Sequence, residues 1–261
     1  MIVQDLCTVH SCRTVGDNIF VLNVHAPAIA ATARPGHFVN IKVDASCDPL
    51  LRRPFSIYRV VGDAIEVLFN VVGKGTRILA DKKKGDTVDV LGPLGVPYGI
   101  DPACENALLV SGGLGVAPMP FLSAVLAQRE VPTHNFIGAR TKALLVTEHL
   151  PNVRVATDDG SQGFHGSIVA GVEHYLDAHP LPGLKIFACG PNRMLEALAA
   201  FAQRRGIPCE VSLECAMACG IGICQGCPVE MTDGPRKYNL VCKDGPVFDA
   251  TRINIESLIG H

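Results

Sequence analysis

Tryptophan is absent, aromatic residues make up only 5% of the chain and charged residues only 18%, against about 25% charged in ordinary globular proteins. Neither sign of charge is in excess: 23 Lys and Arg face 25 Asp and Glu, a net charge of −2. That balance argues against a nucleic-acid binder, which needs a basic face to neutralise phosphates. A hydrophobic content of 48% excludes an intrinsically disordered chain, which cannot bury enough apolar surface to offset the entropy of folding. The opening MIVQDLCTVH has neither a basic region nor an apolar run before a cleavage site, so no secretory signal is expected. Uninterrupted apolar length is missing as well. Residues 106–128 carry no charge, but Gly112, Gly113, Gly115, Pro118 and Pro120 break the run. A buried strand followed by a buried helix face gives the same hydropathy as a membrane span.

Cysteine is what the chain has in quantity. Six of its eleven cysteines (Cys209, Cys215, Cys219, Cys224, Cys227 and Cys242) fall in the last fifth of the 261 residues. A disulfide framework belongs to small secreted chains with even counts, so a reducing cytoplasm with a metal or redox site is the better expectation.

At about 150 residues per domain the length suggests two domains. The first hundred residues read as β: 18–25, 37–43 and 64–71 are rich in strand formers and partly alternate, with Gly and Pro between them, and about six short strands at this spacing predict a small antiparallel barrel. From about residue 104 the pattern becomes strand, helix, strand. Strands are expected over 107–111, 133–138, 153–157, 184–189 and 209–213, and helices over 118–128, 168–178 and 192–205. That alternation indicates a parallel α/β sheet. The Cys- and Gly-rich remainder is too short to build a large core alone, and below about 60 residues a metal staple is a usual remedy.

Cys219, Cys224, Cys227 and Cys242 have the spacing C-x4-C-x2-C-x14-C, the plant-type [2Fe–2S] pattern of C-x4-C-x2-C and a distant fourth Cys. Gly220, Gly222 and Gly226 between them free the backbone to wrap a bulky cluster, by removing Cβ atoms and permitting positive φ. Zinc is the competing metal, although it more often uses paired C-x2-C knuckles. Cys215 breaks the spacing and reads as a bystander. Gly112-Gly-Leu-Gly-Val-Ala-Pro118 and Cys189-Gly-Pro-Asn-Arg-Met194 each follow a strand and open a helix, the arrangement that meets a pyrophosphate or a simple tight turn equally well. Arg52-Arg53-Pro-Phe-Ser56 and Gly73-Lys-Gly-Thr76 supply cations, a hydroxyl and backbone donors, or merely surface arginines and an N-cap.

Together these motifs resemble, in order, those of the ferredoxin-NAD(P) reductase-like superfamily. The cysteine segment and Val241-Cys-Lys-Asp-Gly-Pro-Val-Phe248 sharpen the resemblance, over essentially the whole chain, to the electron-transfer subunits of NAD-linked, two-subunit dihydroorotate dehydrogenases. The resemblance implies an FAD-binding β-barrel over 1–101, an NAD-binding α/β domain over 102–211 and a [2Fe–2S] domain over 212–261. It implies FAD held by Arg53, Pro54, Phe55 and Ser56, by the strand Leu68, Phe69 and Asn70, and by Gly75 and Thr76. Gly113, Gly115 and Pro118 would form the NAD site, with Cys189 beside the docked nicotinamide, and Cys219, Cys224, Cys227 and Cys242 would ligate the cluster. An FMN-bearing catalytic subunit would oxidise dihydroorotate in cytoplasmic pyrimidine biosynthesis, in a heterotetramer with two of each chain and the cluster domain at the interface. Two alternatives stay open. One is a diaphorase subunit of a sulfide dehydrogenase, an NADH-dependent ferredoxin:NADP reductase or a hydrogenase; the other is a non-enzymatic zinc-binding adaptor. The residues alone leave NAD against NADP open, with Arg140 placed where a 2′-phosphate could be met.

Overall fold

A computed structural model describes residues 1–258. Six antiparallel strands, β1 (Val3–Gly16), β2 (Ile19–His25), β3 (Phe38–Lys42), β4 (Arg53–Val61), β5 (Ala64–Asn70) and β6 (Thr87–Leu94), close into a barrel in the order β1-β2-β5-β4-β3-β6. The short helices α1 (Pro27–Ala30) and α2 (Lys74–Ala80) fill the connections. Alternation decides the faces, because successive side chains of a strand point to opposite sides. Val39 and Ile41 of β3 join Leu22, Val67 and Val90 in the barrel core. Phe38, on the opposite face of β3, packs with Leu94 against Cys227 and Cys242 of the C-terminal segment.

The second layer is a seven-stranded sheet made by β7 (Asn106–Gly112), β8 (Thr133–Ala139), β9 (Val153–Thr157), β10 (Phe164–His165), β11 (Leu184–Cys189), β12 (Cys209–Ser212) and β15 (Val247–Asp249). Helices α3 (Met119–Gln128), α4 (Ile168–Ala178) and α5 (Asn192–Arg205) connect its strands. The order is β10-β9-β8-β7-β11-β12-β15, parallel throughout except where β15 runs antiparallel to β12. Strand order therefore reverses on either side of β7, which creates a crevice at the carboxyl ends of β7 and β11 where such sheets bind ligands. The charge-free stretch 106–128 is β7, one 3-10 turn and α3. Among the described residues no helix is long and apolar enough to cross a membrane.

The barrel and the mainly parallel sheet are the two layers expected from the sequence, and they meet along an apolar seam of Val21, Tyr58, Leu68, Val116, Ala117 and Ile137. At its edge Arg13 pairs with Glu148 at 2.8 Å. Beyond β12 the chain forms the cysteine loop and a small sheet of β13 (Pro228–Met231), β14 (Tyr238–Leu240) and β16 (Ile253–Asn254) in the order β14-β13-β16. A helical turn, α6 (Val241–Asp244), carries Cys242. β15, inside the segment expected as a separate cluster domain, closes the edge of the second sheet by pairing Ser212 with Val247.

Candidate cofactor clefts and cysteine centre

Two clefts adjoin where barrel and sheet meet. The larger, about 650 Å³, is lined by Arg53, Pro54, Phe55 and Ser56 at the start of β4, by Leu68, Phe69 and Asn70 at the end of β5, and by Thr76 of α2. Clefts of roughly 300–1,000 Å³ with apolar walls and a few polar groups are the usual form of a small-molecule site. Eight of the nine residues expected to hold FAD thus come together. Gly75, the ninth, lies just behind: a Cβ there would strike the guanidinium of Arg53, so its bare backbone is what lets Arg53 lie across the start of α2. The turn is fixed by Thr76 Oγ1, which accepts hydrogen bonds from the amides of Val72 (2.9 Å) and Gly73 (3.2 Å). Arg52 has a different task. Its guanidinium donates to the Asp89 carboxylate at 2.7 Å and to the carbonyls of Asp89 and Asn40, tying β3 and β6 to the start of β4.

The smaller cleft, about 400 Å³, lies at the carboxyl ends of the parallel strands, between Gly112, Gly113 and Leu114 after β7 and Pro191 and Met194 after β11. Gly138, Arg140 and Asp158 line its far side. Gly113 (φ +54) takes the left-handed backbone that glycine tolerates. Gly115 and Pro118, expected beside it, do not line the cleft. Gly115 is pressed against the backbone of Cys189, where a Cβ would collide with the carbonyl, and Pro118 caps α3. Asn70 and Leu114 belong to both clefts, which therefore open onto each other.

Cys189 is buried at the end of β11, its Sγ 4.0 Å from Glu214 Oε1. Burial, followed by the Glu214 carboxylate, pushes its thiol well above the ordinary range, so it is held as neutral SH. Sequence reasoning missed Glu214, and with it the stretch Ser212–Met217, which supplies the far wall of the larger cleft. The available signal was position: Glu214 follows the carboxyl end of β12, on the sheet edge where the two recognised turns lie.

The four spaced cysteines meet in one loop and one helical turn. Cys224 N–H donates to Cys219 Sγ at 3.4 Å, and Cys242 N–H to Cys227 Sγ at 3.5 Å. Side-chain contacts also link Cys219 with Cys224 and Cys227 with Cys242, which sets the four as two pairs. A [2Fe–2S] cluster takes four cysteines; among the described residues no group of three or more Cys, His, Asp or Glu side chains is set to hold a metal ion. Burial resists ionisation of Cys219, but amide donors led by Cys224 and Ile221 outweigh it and lower its pKa. Cys227 is lowered as well, first by a hydrogen bond from the Cys215 thiol. Cys215, a bystander by spacing, thus touches a proposed ligand and also lines the larger cleft.

The glycines of this loop serve neighbouring chain as well as a cluster. Gly220 (φ +74) and Gly222 (φ +84) take left-handed backbone, and a Cβ on them would meet Asn40 and Lys243 respectively. Gly226 does not share that conformation; Gln225 does, at φ +59.

Comparison with known proteins decides the family. The chain is 39% identical over 261 residues to a protein of Bacillus caldolyticus named dihydroorotate dehydrogenase B (NAD(+)), electron transfer subunit, covering 97% of this chain and 99% of that one. The chain belongs to this family. A protein of the same name from Desulforamulus reducens is 35% identical, over 92% of this chain and 94% of its own. The family described as the iron-sulfur cluster binding domain of dihydroorotate dehydrogenase B matches residues 214–254, which span all four paired cysteines. Among solved structures, an NADH-dependent reduced ferredoxin-NADP oxidoreductase superposes with a TM-score of 0.85 at 29% identity, covering 98% of this chain and 92% of that one. A ferredoxin NADP+ reductase from Neisseria gonorrhoeae, at 14% identity and a TM-score of 0.65, shares the fold over 78% of this chain and 92% of its own.

Proposed function

We propose that this chain is the electron-transfer subunit of an NAD-linked dihydroorotate dehydrogenase, joining an FMN-bearing catalytic partner to NAD+ by way of a [2Fe–2S] cluster and FAD. The observation that carries this reading is continuity. Asn70 and Leu114 belong to both clefts, and the wall Ser212–Met217 of the larger cleft runs directly into Cys219. When bound, FAD exchanges a hydride with nicotinamide and a [2Fe–2S] cluster takes single electrons, so the pair couples two-electron to one-electron chemistry.

The chain's own residues bind, orient and exclude water. Arg53, Gly75 and Thr76 hold the pyrophosphate of FAD with a guanidinium, a bare backbone and a fixed turn. Pro54, Phe55, Leu68 and Phe69 wall the ring, and Ser56 and Asn70 present polar atoms to it. Gly113 lets the nicotinamide dinucleotide approach the turn after β7, while Gly115 and Pro118 shape that turn. Cys189, neutral behind Glu214, adds no charge at the junction. Cys219, Cys224, Cys227 and Cys242 ligate the cluster. Among the described residues no disulfide joins any of the eleven cysteines, and a reducing cytoplasm keeps cysteines in that state.

NAD is favoured over NADP. Asp158 lines the smaller cleft beside Arg140, and an acid at a strand end there accepts from a ribose 2′-hydroxyl and repels a 2′-phosphate. Asp158→Ser is expected to raise the rate with NADPH relative to NADH by about tenfold, one lost charge repulsion of about 1.4 kcal/mol. Steady-state dye reduction with the two nucleotides measures it, and an unchanged ratio refutes the assignment.

The partner docks over the outer pair of cysteines. Cys224 is exposed, and Ile223 beside it is 76% exposed, with Ile221 at 39%. Burying an isoleucine contributes about 1.5–3 kcal/mol. Ile223→Asp should therefore weaken assembly with the FMN subunit by at least about tenfold, read by sedimentation, while NADH–dye reduction persists. Unaltered assembly would place the partner elsewhere.

Co-purification from the native host tests the whole reading. The complex should be coloured, contain FAD, iron and labile sulfide, and convert dihydroorotate to orotate as NAD+ is reduced. A colourless protein holding zinc overturns it. A coloured protein that exchanges electrons with ferredoxin and not with dihydroorotate would favour the diaphorase reading, which draws support from the similarity to the NADH-dependent reduced ferredoxin-NADP oxidoreductase.

A further inference from the structure

Asn40 is 0% exposed, an unusual place for an amide on the outer face of a barrel strand. It shares that face of β3 with Phe38, two residues earlier, and strand geometry sets same-face neighbours about 7 Å apart. Phe38 lines the larger cleft. Asn40 reaches the cysteine loop: its Nδ2 donates to the carbonyl of Cys219 at 3.3 Å. Approach is close because residue 220 has no side chain; a Cβ on Gly220 would lie 2.5 Å from that same Nδ2. The backbone of Asn40 is itself pinned, since Arg52 donates to its carbonyl while held by Asp89. Its Oδ1 is buried with no hydrogen-bond partner among the described residues. A buried amide that satisfies only one end is poor value for stability alone, which points to a use for the end that is satisfied.

We propose that Asn40 is a positioning residue for electron transfer, fixing the Cys219 end of the cluster loop to the barrel strand whose Phe38 walls the flavin cleft. The strand acts as a rigid spacer, with one position on the flavin side and the next clamping the backbone of the first ligand. The proposal rests on the reading that Cys219 ligates a cluster and that the larger cleft holds FAD.

The test uses the loaded, full-length protein. NADH delivers two electrons to FAD as a hydride, and single electrons then pass on to the cluster. In anaerobic stopped-flow, Asn40→Ala should leave FAD content and flavin bleaching by NADH as in the wild type. The following reduction of the cluster should slow by about tenfold, the lower end of the effect of losing an outer contact to a metal site. The EPR spectrum of the reduced cluster should shift, and amides of the 219–224 loop should exchange hydrogen faster. Asn40→Asp, which turns an acceptor toward the Cys219 carbonyl, should do the same more strongly. Gly220→Ala presses on the contact from the loop side and should reproduce the signature, so it decides the matter if the Asn40 variants do not accumulate. Wild-type protein without iron would sink the cluster reading itself. Wild-type protein with iron, and variants indistinguishable from it, would overturn only the role of Asn40. Loss of FAD together with the cluster would also overturn that role, by making Asn40 a barrel-folding residue.

Discussion

Cys227→Ser is expected to abolish dihydroorotate-driven NAD+ reduction in the complex while leaving NADH–dye reduction within about twofold of wild type. Changes around a metal ligand typically cost roughly 10–100-fold, and removing Cys227, a proposed ligand itself, should exceed that range. Cys227 is 4% exposed and packs in the core formed by the second sheet and the C-terminal segment. Its sulfur already gathers the donors a thiolate needs, from Cys215 and from the Cys242 amide. A serine oxygen is shorter, harder and far more reluctant to ionise, so it cannot replace that sulfur at a soft metal. The larger cleft, by contrast, is not lined by Cys227, and FAD content should be retained. The measurement is iron and FAD content followed by the two assays. Undiminished transfer from dihydroorotate by an iron-free variant would remove the cluster from the path.

Gly115→Ala should be among the most damaging single methyls in the nucleotide layer. The added Cβ would be driven into the carbonyl of Cys189, and both partners are backbone, one in the turn that follows β7 and the other at the end of the adjacent strand β11. Neither can rotate aside as a side chain would. Overpacking of this kind typically costs about 1–3 kcal/mol and occasionally more, and relief requires the turn after β7 to open. That turn contributes Gly113 to one cleft and Leu114 to both. The expected result is a lower midpoint of thermal unfolding together with a KM for NADH raised by about tenfold or more, for a turn displaced by about 1 Å. Wild-type values for both would show that the turn has slack.

Much of this was legible from pattern. Four elements of the parallel layer, Val153–Thr157, Ile168–Ala178, Leu184–Cys189 and Asn192–Arg205, have the bounds that their hydrophobic period predicts, because helices and strands covered by neighbours must be apolar at fixed intervals. β1, the longest strand of the barrel, was not. It is mostly exposed along its length, so little apolar alternation marks it, and its pairing with β2 and β6 carries the assignment instead. In the site, motifs marked Arg53–Ser56 and Thr76 of the larger cleft, since turns and cations leave local signatures, and the family resemblance added Leu68, Phe69 and Asn70. Glu214 leaves only its place after a strand, and Cys215 and Asn40 leave none. Their surroundings come from residues far away in the chain, such as the Cys219 carbonyl that meets Asn40, and no spacing rule reports such a contact.

The pairing of β12 with β15 has a bearing on how this protein can be cut or combined. Those strands are antiparallel neighbours, and the Leu213 amide donates to the Pro246 carbonyl at their base. The cysteine-bearing segment between them is therefore topologically a hairpin loop enlarged to the size of a domain, not a tail appended to a reductase. A stop codon placed before it removes an edge strand as well as the proposed metal ligands. Splicing the loop out and bridging Ser212 to Val247 with a tight turn leaves every strand of the sheet in place, so the same scaffold is modular at that point for gain or loss of a one-electron relay.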